Sequence, residues 1–161
     1  MILAMLLACT GGDADSASDP PQPGDADYER DPALDVDIQS QAGATNSHNT
    51  GEACMQCHQA HSNGLGVFTA AGSAYNADGT PATSGSIQLY EGNADTGAML
   101  VVLPVDALGN FYTTLDLGLP QTFVVPVVVD ASGAEVNRMP WPTESGSCNQ
   151  CHTPVRRVEF P

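Results

Sequence analysis

The sequence predicts a mainly β fold: a small antiparallel β-sandwich, flanked by two loop-rich segments and preceded by a disordered acidic linker. Two observations predict the sandwich. Short runs of β-branched, aromatic or alternating residues recur from Gly66 onward, about ten to fifteen residues apart, with turn residues between them. The chain of 161 residues also contains 16 glycines and 12 prolines, which suit short strands joined by turns better than a helical bundle.

The predicted sandwich spans residues 66–140, and its strands follow one another between recognisable turns. The strand-like runs are GVFTAAGSAYN, GSIQLYE, AMLVVLPV, NFYTTLDL, TFVVPVVVD and AEVNRMPW. Because Asn, Asp and Gly accept the backbone conformations of tight turns, we expect turns where these residues cluster. Such clusters separate the runs at residues 76–81, 92–97, 106–110 and 130–133.

An acidic segment, residues 10–47, precedes the sandwich. It consists mainly of Asp, Ser, Ala, Gly, Pro and Gln, and we expect it to be a disordered, extended linker because it has too little apolar surface to offset its ordering entropy. The whole chain has 4 basic and 19 acidic residues and a net charge of −15. This excludes nucleic-acid binding, which depends on neutralising phosphates. No stretch approaches the about 20 apolar residues that span a bilayer.

The N-terminal residues 1–9, MILAMLLAC, resemble a bacterial lipoprotein signal with Leu6-Leu7-Ala8-Cys9 at the lipobox. The resemblance implies that Cys9 is lipidated and that the protein is exported. It would be a periplasmic or cell-surface lipoprotein of a Gram-negative bacterium, held at the outer or inner membrane by its lipid. The apolar run is shorter than in such signals, and no basic residue precedes it. A translation start placed too far downstream would explain both differences.

The sequence Cys-x-x-Cys-His occurs twice, on either side of the predicted sandwich. This is the attachment signature of c-type haem. Two thiols at this spacing can add across the two vinyl groups of one porphyrin, and the adjacent histidine can reach the iron. The sequence therefore predicts two covalently bound haems, the first in residues 48–65 and the second in residues 141–161. The motif residues are Cys54, Cys57 and His58, and Cys148, Cys151 and His152.

Two other uses of these four cysteines remain open. They could form one tetrahedral zinc or iron site, which would make the protein a cell-surface binding module with its sandwich clamped by zinc. They could also form structural disulfides of an exported protein. Neither use requires a histidine after each second cysteine, whereas haem attachment does.

The two remaining histidines match the two axial positions that the motif histidines leave open. His48 lies on a flexible segment ahead of the first motif and can fold back over the first haem. His61 is too close to His58 to reach the opposite face of the same porphyrin. In multihaem cytochromes, which the motifs resemble, a histidine just downstream often ligates a neighbouring haem, and this resemblance implies that His61 serves the second iron. That pairing requires both motifs at one pole of the sandwich. Met139 is the main alternative ligand, and Met/His ligation would raise the potential.

Residues 66–139 also resemble the transthyretin-like, carboxypeptidase-regulatory-like β-sandwich. The similarity rests on Gly72 and Tyr75, the turn at 76–81, the alternation of Ile87 and Leu89, and the Gly-Asn-Phe-Tyr sequence at 109–112. It implies a packing or recognition scaffold without catalytic residues.

Together these features predict an exported dihaem c-type cytochrome that transfers electrons between redox partner proteins, such as other cytochromes. We expect no catalysis of bond chemistry, because all four histidines are assigned to iron. A dihaem peroxidase would require one iron with an open axial position.

Overall fold

The computed structural model describes residues 20–152 and 155–160, and Cys9 with its predicted lipidation lies outside these ranges. The described residues form seven strands, one short α-helix and two 3₁₀ turns. The strands are β1 (Ala70–Asn76), β2 (Ser86–Glu91), β3 (Met99–Pro104), β4 (Asn110–Thr113), β5 (Val124–Val129), β6 (Glu135–Arg138) and β7 (Val158–Phe160). The helix α1 covers Cys148–Cys151, and the 3₁₀ turns cover Pro32–Leu34 and Cys54–Gln56.

The strands form two sheets, which confirms the mainly β fold that the sequence predicts. A three-stranded sheet has the order β4-β1-β7, and a four-stranded sheet has the order β3-β2-β5-β6. Neighbouring strands are antiparallel except for β1 and β7, which are parallel. The predicted turns connect β1 to β2, β2 to β3, β3 to β4 and β5 to β6. The short strand β7, which follows the second motif, was not predicted.

The apolar core lies between the two sheets. Ile87 and Leu89 alternate with half-exposed residues along β2 and are almost fully buried, as the pleat of a one-sided strand requires. Phe111 of β4 packs into the same cluster. In β1, by contrast, the five consecutive residues 70–74 are all buried. Both faces of β1 are therefore covered, one by the opposite sheet and the other by the segment that precedes Cys54 together with Asn149 of helix α1.

The segment from Arg30 to residue 47 corrects the expected linker boundary. The Ile38 N–H donates to Oγ1 of Thr114 at 2.9 Å and the Ser40 N–H donates to the Tyr112 carbonyl at 3.0 Å, so this segment covers the free edge of β4. The Arg30 side chain is 5% exposed and its guanidinium binds the carbonyl oxygen of Ser62 at 2.7 Å. The expectation of disorder over residues 10–47 is therefore wrong for this part, because edge hydrogen bonds order a segment whose composition contains little apolar surface.

Candidate functional site

The first motif lines a cavity of about 500 Å³ on the outer face of the three-stranded sheet. Three of its residues lie on the 3₁₀ turn Cys54–Gln56, and the next two, Cys57 and His58, follow directly. Apolar and aromatic side chains form one part of the remaining wall, as is usual for sites that enclose an organic ligand, and polar residues form the other part, namely Asn46, Ser47, Asn49, Glu52 and Asn110. The lining includes Ile38, His48, Cys54, Cys57, His58, Leu65, Phe68 and Tyr112.

The second motif lines a separate cavity of about 250 Å³. Its two cysteines are the first and last residues of helix α1, and His152 caps that helix. This volume is below the about 300–1,000 Å³ of typical ligand pockets, so a large group held here would remain partly exposed. The lining includes Ile87, Phe111, Val128, Met139, Cys148, Cys151, His152 and Arg157.

The two cavities lie on opposite faces of the same sheet. Phe111 lines the second cavity, whereas its neighbours Asn110 and Tyr112 line the first. Because successive side chains of a strand point to opposite faces, β4 separates the two cavities. The motifs themselves are adjacent, since the Asn149 side chain donates to the carbonyl oxygen of Glu52 at 2.7 Å. The structure therefore brings together two motifs that are far apart in the sequence.

The ring of His58 is fixed on both its edge and its face. Its Nδ1 lies 2.8 Å from the Leu65 carbonyl oxygen, a contact that requires the proton on Nδ1. The ring stacks on Phe68 with centroids 4.1 Å apart and planes 3° apart, and Phe68 in turn stacks on Tyr112 at 5.0 Å. Burial lowers the pKa of His58, which favours the neutral imidazole. Nε2 is then the lone-pair nitrogen available to a metal.

The ring of His152 is held at Nδ1 in the same way. Its Nδ1 lies 2.8 Å from the carbonyl oxygen of Arg156, four residues further along the chain. Ligating histidines usually donate their second ring nitrogen to a carbonyl or carboxylate, which fixes both tautomer and orientation. Both motif histidines therefore present Nε2 in the way that an axial ligand does. The sequence motif identifies these histidines but not their two carbonyl partners, because such contacts depend on how the following loop folds back.

The four motif cysteines are free thiols in this structure. Burial raises the pKa of Cys148 to about 12, and the nearby thiols of Cys54 and Cys151 add to the effect. Burial likewise raises the pKa of Cys54. Thiols of this kind are neutral at physiological pH, unlike the low-pKa cysteines that act as nucleophiles. Within residues 20–152 and 155–160, no three His, Cys, Asp or Glu side chains are grouped closely enough to hold a metal ion, so the four-cysteine zinc site is not preformed.

The histidines and the methionine considered as further axial ligands are placed differently. His48 lines the first cavity, with its ring centroid 5.9 Å from that of His58. The two imidazoles therefore line the same cavity. Met139 lines the second cavity. His61 is exposed, with Nδ1 3.4 Å from the Tyr28 carbonyl oxygen, and the structure does not bring it to either cavity.

Comparison with protein-family models, with curated proteins and with solved structures finds no match for this chain. The two-sheet architecture thus rests on the structure alone, and the resemblance to transthyretin-like domains stays a prediction. Among the residues that the structure describes, no helix is long and apolar enough to cross a membrane.

Proposed function

We propose that this protein is an exported dihaem c-type cytochrome that transfers electrons between redox partner proteins. One observation carries the proposal: each Cys-x-x-Cys-His motif lines a cavity of its own, and each motif histidine has Nδ1 held by a carbonyl oxygen while Nε2 stays available. The donor set of two thiols and one imidazole matches the covalent and axial bonds of c-type haem. When bound, haem supplies reversible one-electron chemistry at iron.

In the first site, Cys54 and Cys57 would hold the porphyrin and His58 would be the axial ligand. His48, which lines the same cavity, would be a second ligand. The stack of Phe68 on His58 keeps the imidazole from rotating and gives the site an apolar wall. Exclusion of water by such walls is one of the means by which proteins set the potential of a haem.

In the second site, Cys148 and Cys151 would hold the porphyrin and His152 would be the axial ligand. Met139 and Arg157 line the same cavity. Met139 is the proposed second ligand, and a guanidinium is a suitable partner for the carboxylates that haem carries. Because this cavity has about half the volume of the first, a haem held here would be the more exposed of the two, and we propose it as the site from which electrons pass to a partner.

The placement of the cavities supports electron transfer within the molecule. They lie on the two faces of one sheet, and the motif segments touch through Asn149 and Glu52. Two redox groups in these positions would be separated by the thickness of one sheet. The proposed lipid on Cys9 would hold the protein at a membrane, where other redox proteins are found.

Paired cysteine substitutions test this function. Cys54→Ser with Cys57→Ser should leave one covalently bound haem per chain, and so should Cys148→Ser with Cys151→Ser. Haem content is measured by the pyridine haemochrome spectrum of protein produced with a cytochrome c maturation system. A wild-type protein without covalent haem would refute the proposal.

A further inference from the structure

A buried cluster of hydrogen bonds joins the two motif segments. Its centre is Asn149, which lies between the two cysteines of the second motif and is 8% exposed. The Ser73 N–H donates to Oδ1 of Asn149 at 2.9 Å. Nδ2 of Asn149 donates to the carbonyl oxygen of Glu52 at 2.7 Å, two residues ahead of the first motif, and also contacts Oγ of Ser73 at 3.1 Å.

The same cluster extends to the segment that carries His48. Oγ of Ser73 accepts from the Gly51 N–H at 2.8 Å and donates to Oδ1 of Asn110 at 2.7 Å. Nδ2 of Asn110 donates to the His48 carbonyl at 3.2 Å. Ser73, Asn110 and Asn149, which we call the amide cluster, thus connect the second motif to the backbone on which His48 and the first motif lie.

The chemistry of the amide group explains why an asparagine suits this position. Buried residues are ordinarily apolar. The side chain of Asn149, however, must both accept from the Ser73 N–H and donate to the Glu52 carbonyl oxygen. An amide offers both an acceptor and two donors. A buried carbonyl or N–H left without its partner is costly, so the cluster holds its members in one arrangement.

We infer that Asn149 is a positioning residue for both cofactor sites. It fixes the segment around residues 48–54 against the second motif, and so it sets the mutual orientation of the two groups that the motifs bind. This inference rests on the proposed function. The inference adds to that function because it assigns the geometry between the two sites to one side chain, Asn149, that binds neither group.

The test uses Asn149→Asp, with Gln150→Glu as the matched control. The first change keeps the acceptor for the Ser73 N–H but replaces the donor to Glu52 with an oxygen. The second makes the same amide-to-acid change at the neighbouring, exposed position of the motif. Two properties of the full-length, haem-loaded protein are measured: the exchange rates of the Gly51 and Glu52 amides, and the exciton couplet in the Soret circular dichroism, which reports the mutual orientation of two haems.

We expect Asn149→Asp to speed exchange at Gly51 and Glu52 by about tenfold, the factor given by one lost buried hydrogen bond, and to change the couplet while two haems per chain remain. Gln150→Glu should leave both properties unchanged. Should Asn149→Asp fail to accumulate, Ser73→Ala removes the hydroxyl that contacts Gly51, Asn110 and Nδ2 of Asn149 but keeps the bond from Asn149 to Glu52. It should speed exchange at Gly51, speed exchange at Glu52 by less than Asn149→Asp does, and change the couplet.

Faster exchange with an unchanged couplet would mean that Asn149 only stabilises the fold, and it would overturn the inference. Unchanged exchange in both cluster variants would overturn it as well. These outcomes differ from failure of the proposed function, which would be a wild-type protein that carries no haem and shows no couplet.

Discussion

Replacing Phe68 with leucine tests whether the aromatic stack holds His58, the proposed axial ligand of the first site. Phe68 is 7% exposed and lies between two rings, His58 at 4.1 Å and Tyr112 at 5.0 Å. Leucine keeps most of the apolar volume but removes both ring pairs. The substitution therefore isolates the stacking from the burial.

The expected loss of stability follows from those two contacts. Aromatic pairs contribute about 0.5–1.5 kcal/mol each beyond their buried area, so the free energy of unfolding should fall by about 1–3 kcal/mol. For a domain of this size each kcal/mol lowers Tm by about 4 °C, and the unfolding midpoint should fall by roughly 4–12 °C. Without the stack the His58 imidazole could rotate. This should also shift the midpoint potential of one haem, because the axial ligand tunes that potential.

Thermal unfolding followed by far-ultraviolet circular dichroism measures the first effect, and a potentiometric titration measures the second. Phe123→Leu is the control, since Phe123 is 52% exposed and forms no aromatic pair with the described residues. Its Tm and potentials should change little. Equal losses of Tm in the two variants, with both potentials unchanged, would refute the role of the stack.

Three further predictions address other parts of the molecule. Met139→Leu should open one axial position, so the reduced variant should bind carbon monoxide at one haem where the wild type binds none; no binding would exclude Met139 as a ligand. Gly72→Ala should lower the free energy of unfolding by about 1–3 kcal/mol in a denaturant titration, because the added Cβ would lie 2.6 Å from Cζ of Phe111 and 2.7 Å from Cβ of Cys148; an unchanged midpoint would contradict this close packing. Cys9→Ser should move the protein from the membrane to the soluble fraction, since acyl chains contribute about 0.8 kcal/mol per buried methylene, and unchanged fractionation would refute the lipid anchor.

The strands of the sandwich could be predicted because their signals are local. The alternation of Ile87 and Leu89 marks a strand with one buried face, and the Asn, Asp and Gly clusters mark the turns. The structure confirms both features. Strand β7 was missed because three residues carry no periodicity, and its parallel pairing with β1 depends on the path of the chain after the second motif.

The candidate sites could be predicted only in part. The two Cys-x-x-Cys-His motifs identify six of the residues that line the two cavities, because their spacing is the one that haem attachment requires. The carbonyl partners of His58 and His152 could not be found, because they depend on loop conformation. Asn149 could not be found either. Its role comes from contacts with Ser73 and Glu52, which are distant in sequence.

The placement of His61 shows the limit of an argument from counts. Four histidines and two irons suggest bis-histidine ligation at both sites, and the two motifs do lie side by side. His61, however, lies near Tyr28, and Met139 lines the second cavity instead. Its ligation of the second iron stays a prediction, with Met139 as the alternative that the geometry favours.

The reduced-minus-oxidised visible spectrum of the purified protein tests the central claim most directly. We expect a sharp α-band at the c-type position, and the haem should stay with the polypeptide after acid–acetone extraction because thioether bonds would hold it. Metal analysis of the same sample should find two iron atoms per chain. A protein without this band that contains one zinc atom per chain would contradict the account and support the zinc-clamped binding module.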